Sequence, residues 1–405
     1  MRRALLAAAV ALLAAAPAQA RSLHDGSGLT IKSRERLTQR LQSFTFATRA
    51  LPGPARVDVL LPDGYREHPR RRYPVLYLFH GTSGGAHDWP EMGNVEKTTA
   101  GLPLIVVMPD IGLNRDGGGW CADWVSGKYR WDTFHIRQLV PWVDANLRTR
   151  RSRGGRAIAG LSQGGFCSMS YAAQHPDLFG TAFSYSGAPD IAESPEAAAA
   201  GGVIVGAIEV GLDGEERGSI FGDPVTDRVN WRAHNPASIA ENLRDTRLFL
   251  FAGNGTPGPL DENPINPAAT AIEGATWRST HAFTERLDGI GLPYFLNDYG
   301  AGTHTWPYWS RDLRESTEPL MKSFADPAPR PAAVTYTSGM DRYAVYGWRV
   351  RIARQARDFT TLSHATCRGF ELSGTGTATV RTPPCGRRGR RTVTVTLPAK
   401  VMLQP

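Results

Sequence analysis

Ala157-Ile158-Ala159 runs without a break into Gly160-Leu161-Ser162-Gln163-Gly164-Gly165. The apolar run reads as a buried strand, and small residues with helical spacing follow it. A serine between glycines at a strand-to-helix turn can be held in a sharp, strained backbone with its Oγ exposed, which is the geometry of a nucleophile elbow. The pattern constrains the chain because it requires a strand before it and a helix after it. It also occurs twice. The chain has 43 glycines, and Gly81-Thr82-Ser83-Gly84-Gly85 matches the same spacing. At most one of the two can be the elbow, so context must choose.

The context is a succession of strands and helices. Arg56–Pro62 alternates and stops at a proline. Tyr73–Gly81 and Leu102–Pro109 are continuous apolar runs, as expected of parallel strands covered on both faces. Trp131–Leu147 has amphipathic spacing. The strand through Ile158 leads into a predicted helix over Gln163–His175, halted by Pro176. Ala182–Gly187, Arg247–Gly253 and Tyr294–Tyr299 are further strand candidates. Such alternation predicts a doubly wound, mostly parallel sheet with helices on both faces, the α/β-hydrolase plan. Three prolines in Asp326–Pro331 then mark a linker, expected over 326–334. Residues 335–405 are rich in Thr, Val and Gly, with alternation over Ala344–Ile352 and Thr392–Leu397, and predict a small β domain.

Both ends carry further information. Arg2 and Arg3 precede an apolar run from Ala4 to Ala16, and Ala18-Gln19-Ala20 offers a cleavage site. This reads as a secretory signal peptide over 1–20, with an exported catalytic domain over 21–325. Export permits disulfides: Cys367 and Cys385 are expected to pair, while the pairing of Cys121 and Cys167 stays open. No Cys/His spacing suggests a metal, and no cofactor is expected. The formal charge is +8, but residues 335–405 alone hold 12 Lys/Arg against 3 Asp/Glu. That basic segment is either a solvated surface or a contact for an anionic envelope polymer or lipid headgroup; nucleic acid is not expected.

In an α/β-hydrolase the parts follow in order: oxyanion loop, nucleophile, acid, histidine. The 81–85 match follows an early strand, carries His80-Gly81 and leads into no clean helix. It therefore reads as the oxyanion loop, and Ser162 reads as the nucleophile. The amides of Thr82 and Gln163 are the expected oxyanion donors. His304 directly follows the last strand and is the expected base. Asp261, Glu262 and Glu273 all follow the Leu248–Ala252 strand, and pattern does not separate them as the acid.

Several further blocks resemble one family. They are Val107-Met108-Pro109, Asp123-Trp124, Gly160-Leu161-Ser162, Trp231-Arg232 with Asn235-Pro236, Gly253-Asn254-Gly255-Thr256-Pro257, and Gly302-Thr303-His304-Thr305-Trp306 with Tyr308-Trp309. Over residues 45 to 325 the chain resembles the antigen 85 mycolyltransferases and related secreted esterases, the esterase D-like branch of the α/β-hydrolases. The resemblance implies Glu273 as the acid, 31 residues before His304. It implies a secreted esterase using a Ser-His-Glu triad on acyl esters, lipids or glycolipids among them, or an acyltransferase to a sugar or lipid hydroxyl. A catalytically silent envelope-binding protein on the same fold is the rival. Gly81 and Trp306 are expected at the substrate, Trp306 as a wall beside His304. Two features of the mycolyltransferases are missing. No arginine follows Thr82, and no cysteine-bounded hairpin follows Asp123-Trp124, so trehalose is not carried over as an acceptor.

Overall fold

The continuous apolar runs form the centre of a nine-stranded sheet in the computed structural model, which describes residues 23–386 and 389–403. The expected leader lies outside the described residues. The strands are β1 (Leu29–Arg36), β2 (Leu41–Thr48), β3 (Ala55–Leu60), β4 (Val75–Phe79), β5 (Ile105–Pro109), β6 (Arg156–Leu161), β7 (Thr181–Tyr185), β8 (Arg247–Ala252) and β9 (Phe295–Asp298). Their order is β1-β2-β3-β5-β4-β6-β7-β8-β9. From β5 to β9 every pairing is parallel, and β1, β2 and β3 add an antiparallel flank. This is the α/β-hydrolase architecture expected from the sequence. Every residue of β4, β5, β6 and β7 is buried, as apolar runs without polar alternation require. Each large apolar side chain so buried contributes about 1.5–3 kcal/mol.

Four helices matter for the site. Helix α1 (Gln163–Gln174) leaves β6 directly. Helix α2 (Pro195–Gly211) is started by Ser194, whose Oγ accepts the Ala197 N–H at 3.0 Å, with proline at the first turn. Helix α3 (Pro267–Gly289) starts the same way: Asn266 accepts the Ala269 N–H at 3.1 Å. Helix α4 is Trp306–Ala325. The amphipathic stretch expected over Trp131–Leu147 is not one regular helix. Thr133–Leu139 is wound as a π-helix, and Val140–Asn146 continues as an α-helix.

The described residues between 334 and 403 form two four-stranded antiparallel sheets over a core of their own. One contains β10 (Val334–Ser338), β13 (Thr360–Thr366), β14 (Gly369–Leu372) and β17 (Ala399–Met402). The other contains β11 (Arg342–Val345), β12 (Trp348–Ala353), β15 (Thr377–Arg381) and β16 (Thr392–Thr396). The alternation over Ala344–Ile352 is therefore a hairpin and not one strand. Tyr346 (φ 48°) and Gly347 (φ 88°) turn the chain between Val345 and Trp348, the two-residue turn that matches strand twist. A two-residue turn leaves the alternation in step, so the pattern hides it. Cys367 pairs with Cys385, as expected, and Cys121 pairs with Cys167.

The β unit grips the end of α1. The Tyr336 hydroxyl donates to the Gln174 carbonyl at 2.8 Å, and the Tyr346 hydroxyl to that of Pro176 at 2.9 Å. Asn242 and Thr337 exchange two hydrogen bonds of 2.8 Å. No helix among the described residues is long and apolar enough to cross a membrane.

Candidate active site

Ser162 stands between β6 and α1 at φ 52°, ψ −122°, a conformation that costs an L-residue roughly 1–3 kcal/mol. The neighbouring glycines are what allow it. A Cβ on Gly160 would strike the Gly164 carbonyl, and one on Gly164 would lie 2.7 Å from the Phe79 carbonyl oxygen. The chain can bend this sharply only where both contacts are bare backbone. The Ser162 N–H donates to the Tyr185 carbonyl at 2.9 Å, which ties the turn to β7.

Three side chains from different segments meet here. His304 Nε2 lies 2.8 Å from Ser162 Oγ, and His304 Nδ1 lies 2.6 Å from Glu273 Oε2. A carboxylate can only accept, so the ring carries its proton on Nδ1 and offers Nε2 as acceptor to the Ser162 hydroxyl. Glu273 projects from α3 and is fully buried. An unpaired carboxylate there would be costly. Its Oε1 instead accepts the Gly253 N–H at 2.8 Å, the Ser186 hydroxyl at 2.8 Å and the Tyr299 hydroxyl at 3.3 Å. Burial, reinforced by the Glu273 charge, pushes the Tyr299 hydroxyl well above its ordinary range, so it stays a donor.

The other two acid candidates face elsewhere. Asp261 accepts from Gly258 N–H, Tyr308 hydroxyl and Thr303 hydroxyl. Burial works to raise its carboxyl, but these hydrogen bonds prevail and hold it below the ordinary value. Asp261 thus braces the loop that carries His304. Glu262 lines a separate groove.

The two glycine-flanked segments come together at Gln163. Its side-chain Nε2 donates to the Gly117 carbonyl at 3.0 Å and to Thr82 Oγ1 at 3.3 Å. The backbone N–H groups of Thr82 and Gln163 have no protein acceptor among the described residues. The latter opens α1, where the helix dipole adds positive potential. Gly81 packs on the elbow: a Cβ there would lie 2.8 Å from Leu161 Cδ1 and 3.1 Å from Ser162 Cβ. His80 holds the loop from below. Its Nδ1 meets the Gly81 carbonyl at 2.7 Å and its Nε2 accepts the Ile111 N–H at 2.9 Å. Burial lowers its pKa and keeps it neutral.

A cleft of about 1050 Å³ opens over Ser162. Its far wall is α2, through Ala197, Ala200, Gly201, Ile204 and Ile208. That helix was not expected from the sequence. It has no polar face to announce it, and Val203 and Val210 on its outer side are exposed. The wall beside His304 also differs from expectation. Trp309 stands edge-on to the imidazole at 4.9 Å, and Trp306 packs on Trp309 one layer farther out. Trp306 lines the cleft and also a second, polar groove of about 520 Å³ with Asn94, Glu262, Asn263, Asn266 and Ser310.

Sequence reasoning also missed Ser186, whose hydroxyl accepts from Trp309 Nε1 at 3.1 Å and donates to Glu273. Its signal was weak, since it is one of several serines near strand ends. Cys121–Cys167 ties α1 to the loop bearing Trp120, another cleft residue. Among the described residues no His/Cys/Asp/Glu group is arranged to hold a metal.

Three comparisons bear on this arrangement. The model of a family described as a putative esterase matches residues 48–318. An esterase of Mycobacterium tuberculosis is 36% identical over 283 residues, covering 69% of this chain and 59% of that protein. The chain therefore spans less than two thirds of that relative's length. The diacylglycerol acyltransferase/mycolyltransferase Ag85B of Mycobacterium leprae is 30% identical over 249 residues, 59% of this chain and 73% of that one. The crystal structure of Mycobacterium tuberculosis MPT51 has a TM-score of 0.56 and 23% identity over 72% of this chain and 99% of that one, and shares the fold. The likeness to antigen 85 read from the motifs agrees with these relatives.

Proposed function

We propose, from the premise that this chain belongs to the esterase family matched over residues 48–318, that it hydrolyses carboxylic esters through an acyl-enzyme on Ser162. The observation that carries this reading is the unbroken chain Ser162–His304–Glu273, at 2.8 and 2.6 Å, on the floor of an apolar cleft. His304 takes the Ser162 proton as Oγ bonds to the ester carbon. The carbonyl oxygen becomes an oxyanion held by the amides of Thr82 and Gln163, each worth roughly 3 kcal/mol. Glu273 orients the imidazole and stabilises its charged form. The C–O bond to the alcohol then breaks, and His304 returns the proton to the departing oxygen. Water, deprotonated by the same imidazole, releases the acid. The acyl chain lies along α2, through Ala197, Ala200, Gly201, Ile204 and Ile208. No cofactor enters these steps.

The polar groove beyond Trp306 favours acyl transfer as a second reading. It gives a hydroxyl-rich acceptor, a sugar or lipid headgroup, a place next to the cleft, across Trp306, from which its hydroxyl can outcompete water. Export of the mature chain is part of the proposal, and two disulfides support an oxidising destination. So is the division into a catalytic domain over 21–325, a linker over 326–334 and a β domain over 335–405. Fluorophosphonate labelling of the folded protein tests the reading. Labelling that vanishes in Ser162→Ala is expected. A folded wild type that does not label would instead be a silent binding protein.

A further inference from the structure

The outer face of the β11–β12–β15–β16 sheet has an unusual makeup. In an antiparallel sheet, residues directly opposite one another project from the same side. Arg342 is paired with Arg351, and Arg349 with Arg381. All four are exposed and make no ion pair among the described residues. Like charges placed directly opposite one another destabilise a sheet. The remaining positions of this face are exposed threonines of β15 and β16, with Ala344 and Ala353. Among the described residues no Asp or Glu stands at these face positions. Asp341, next to Arg342, is engaged by Arg354 at 2.7 Å. The other sheet of the same unit is built differently: there Glu371 pairs with Lys400 at 2.8 Å and with His364 at 3.3 Å. The cationic face is thus confined to one side, and among the described residues no carboxylate neutralises it.

We propose that this face binds a linear polyol phosphate polymer, with phosphodiester groups on the arginines and backbone hydroxyls on the threonines. A guanidinium fork matches the oxygens of a phosphate. Arg349 and Arg351 are two residues apart on one strand, so their Cα atoms are separated by about 7 Å and about six backbone bonds. Successive phosphorus atoms joined through a three-carbon polyol are also about six bonds apart, so an extended chain keeps step with the strand. A bilayer fits the face less well, because it offers no exposed aromatic or large aliphatic side chain to enter the interface. Single-stranded nucleic acid has similar phosphate spacing but binds through stacking platforms, and this face has none.

The test uses the full chain and poly(glycerol phosphate) as probe, with single-stranded DNA of matched charge and phosphatidylglycerol vesicles as rivals. Affinity should fall with salt at a slope of about 3 on logarithmic axes. Arg349→Glu/Arg381→Glu should weaken binding about tenfold or more and lower that slope by about 2. Arg349→Thr/Arg381→Thr, which suits a strand, should weaken it less. The charge-matched control Arg70→Glu/Arg368→Glu, on exposed loops elsewhere, should change it little. Turnover of a soluble ester should be the same in all, reporting an intact fold. Equal loss in the control, no loss in either face variant, or tighter binding to DNA or vesicles than to the polymer would each overturn the proposal.

Discussion

Ser83 and Ser162 occupy the same glycine-flanked pattern and both have positive φ, at 57° and 52°. They differ in what surrounds them. Ser162 is locked between β6 and α1, with its hydroxyl aimed at an imidazole. Ser83 is exposed in a loop, and the packed residue there is Gly84, whose Cβ would lie 2.7 Å from His80 Nδ1. One segment presents a side chain and the other presents backbone. A short motif specifies a tight turn; the elements joined by the turn decide which group reaches the cleft.

The largest expected effect tests that contrast directly. Ser162→Ala should lower kcat for a p-nitrophenyl ester by about 10⁴-fold or more. Ser83→Ala should stay within about threefold of wild type. Comparable losses would erase the distinction. Next in size, Glu273→Gln should cost about 10³- to 10⁴-fold in kcat, because the amide favours the wrong imidazole tautomer. Asp261→Asn touches only the brace under His304, and about a tenfold loss or less is expected. The reverse ranking in steady-state kinetics would move the acid to Asp261.

The Gln163 side chain, which joins the two segments, should matter less. Gln163→Ala removes the contacts to Thr82 and Gly117 but keeps the backbone N–H, so kcat should drop about tenfold with KM nearly unchanged. A loss as large as that of Ser162→Ala would show that the bridge, and not the amide, is the essential part. The mildest effect lies one step farther out. Asp213 packs against Gly117, where a Cβ would lie 2.9 Å from its Oδ1. Burial first, then the Asp116, Glu209 and Glu215 carboxylates, push Asp213 up from 3.8 to about 7. The folded protein therefore binds more protons than the unfolded chain between those values, and this group's contribution to stability falls as pH rises from about 4 to about 7. Asp213→Asn should flatten that part of the Tm-against-pH curve and raise Tm at pH 8. A curve unchanged by the substitution would remove Asp213 from the account.

The parallel strands were legible because burial on both faces demands unbroken apolar runs, and Val75–Phe79 and Ile105–Pro109 are such runs. Strands β1 and β2 were not, since most of β1 is exposed and its residues, Leu-Thr-Ile-Lys-Ser-Arg-Glu-Arg, carry little apolar alternation. Helix α2 escaped notice because, apart from Pro195, Glu196 and Glu209, it is built of Ala, Gly, Val and Ile on every side, so no periodic contrast marks it. In the site, Ser162 and His304 could be found by chain order. The acid could not be separated by pattern, because three carboxylates follow β8 and only packing brings one of them to the imidazole. Ser186 and Trp309 depend on contacts between residues 123 positions apart, which no local pattern encodes.

Helix α1 follows directly on Ser162 at its N-terminus and is gripped by Tyr336 at its last residue. Its twelve residues span about 18 Å. A polymer captured by the β unit would therefore be coupled to Ser162 by a stiff strut and not by a flexible tether. A flexible link spreads the tethered group over many distances and dilutes its local concentration; a rigid one confines it to a narrow shell. Esters within that shell would meet the cleft repeatedly, while those just outside it would gain nothing from the attachment. The helix would then act as a ruler, setting which positions along an anchored substrate are within reach.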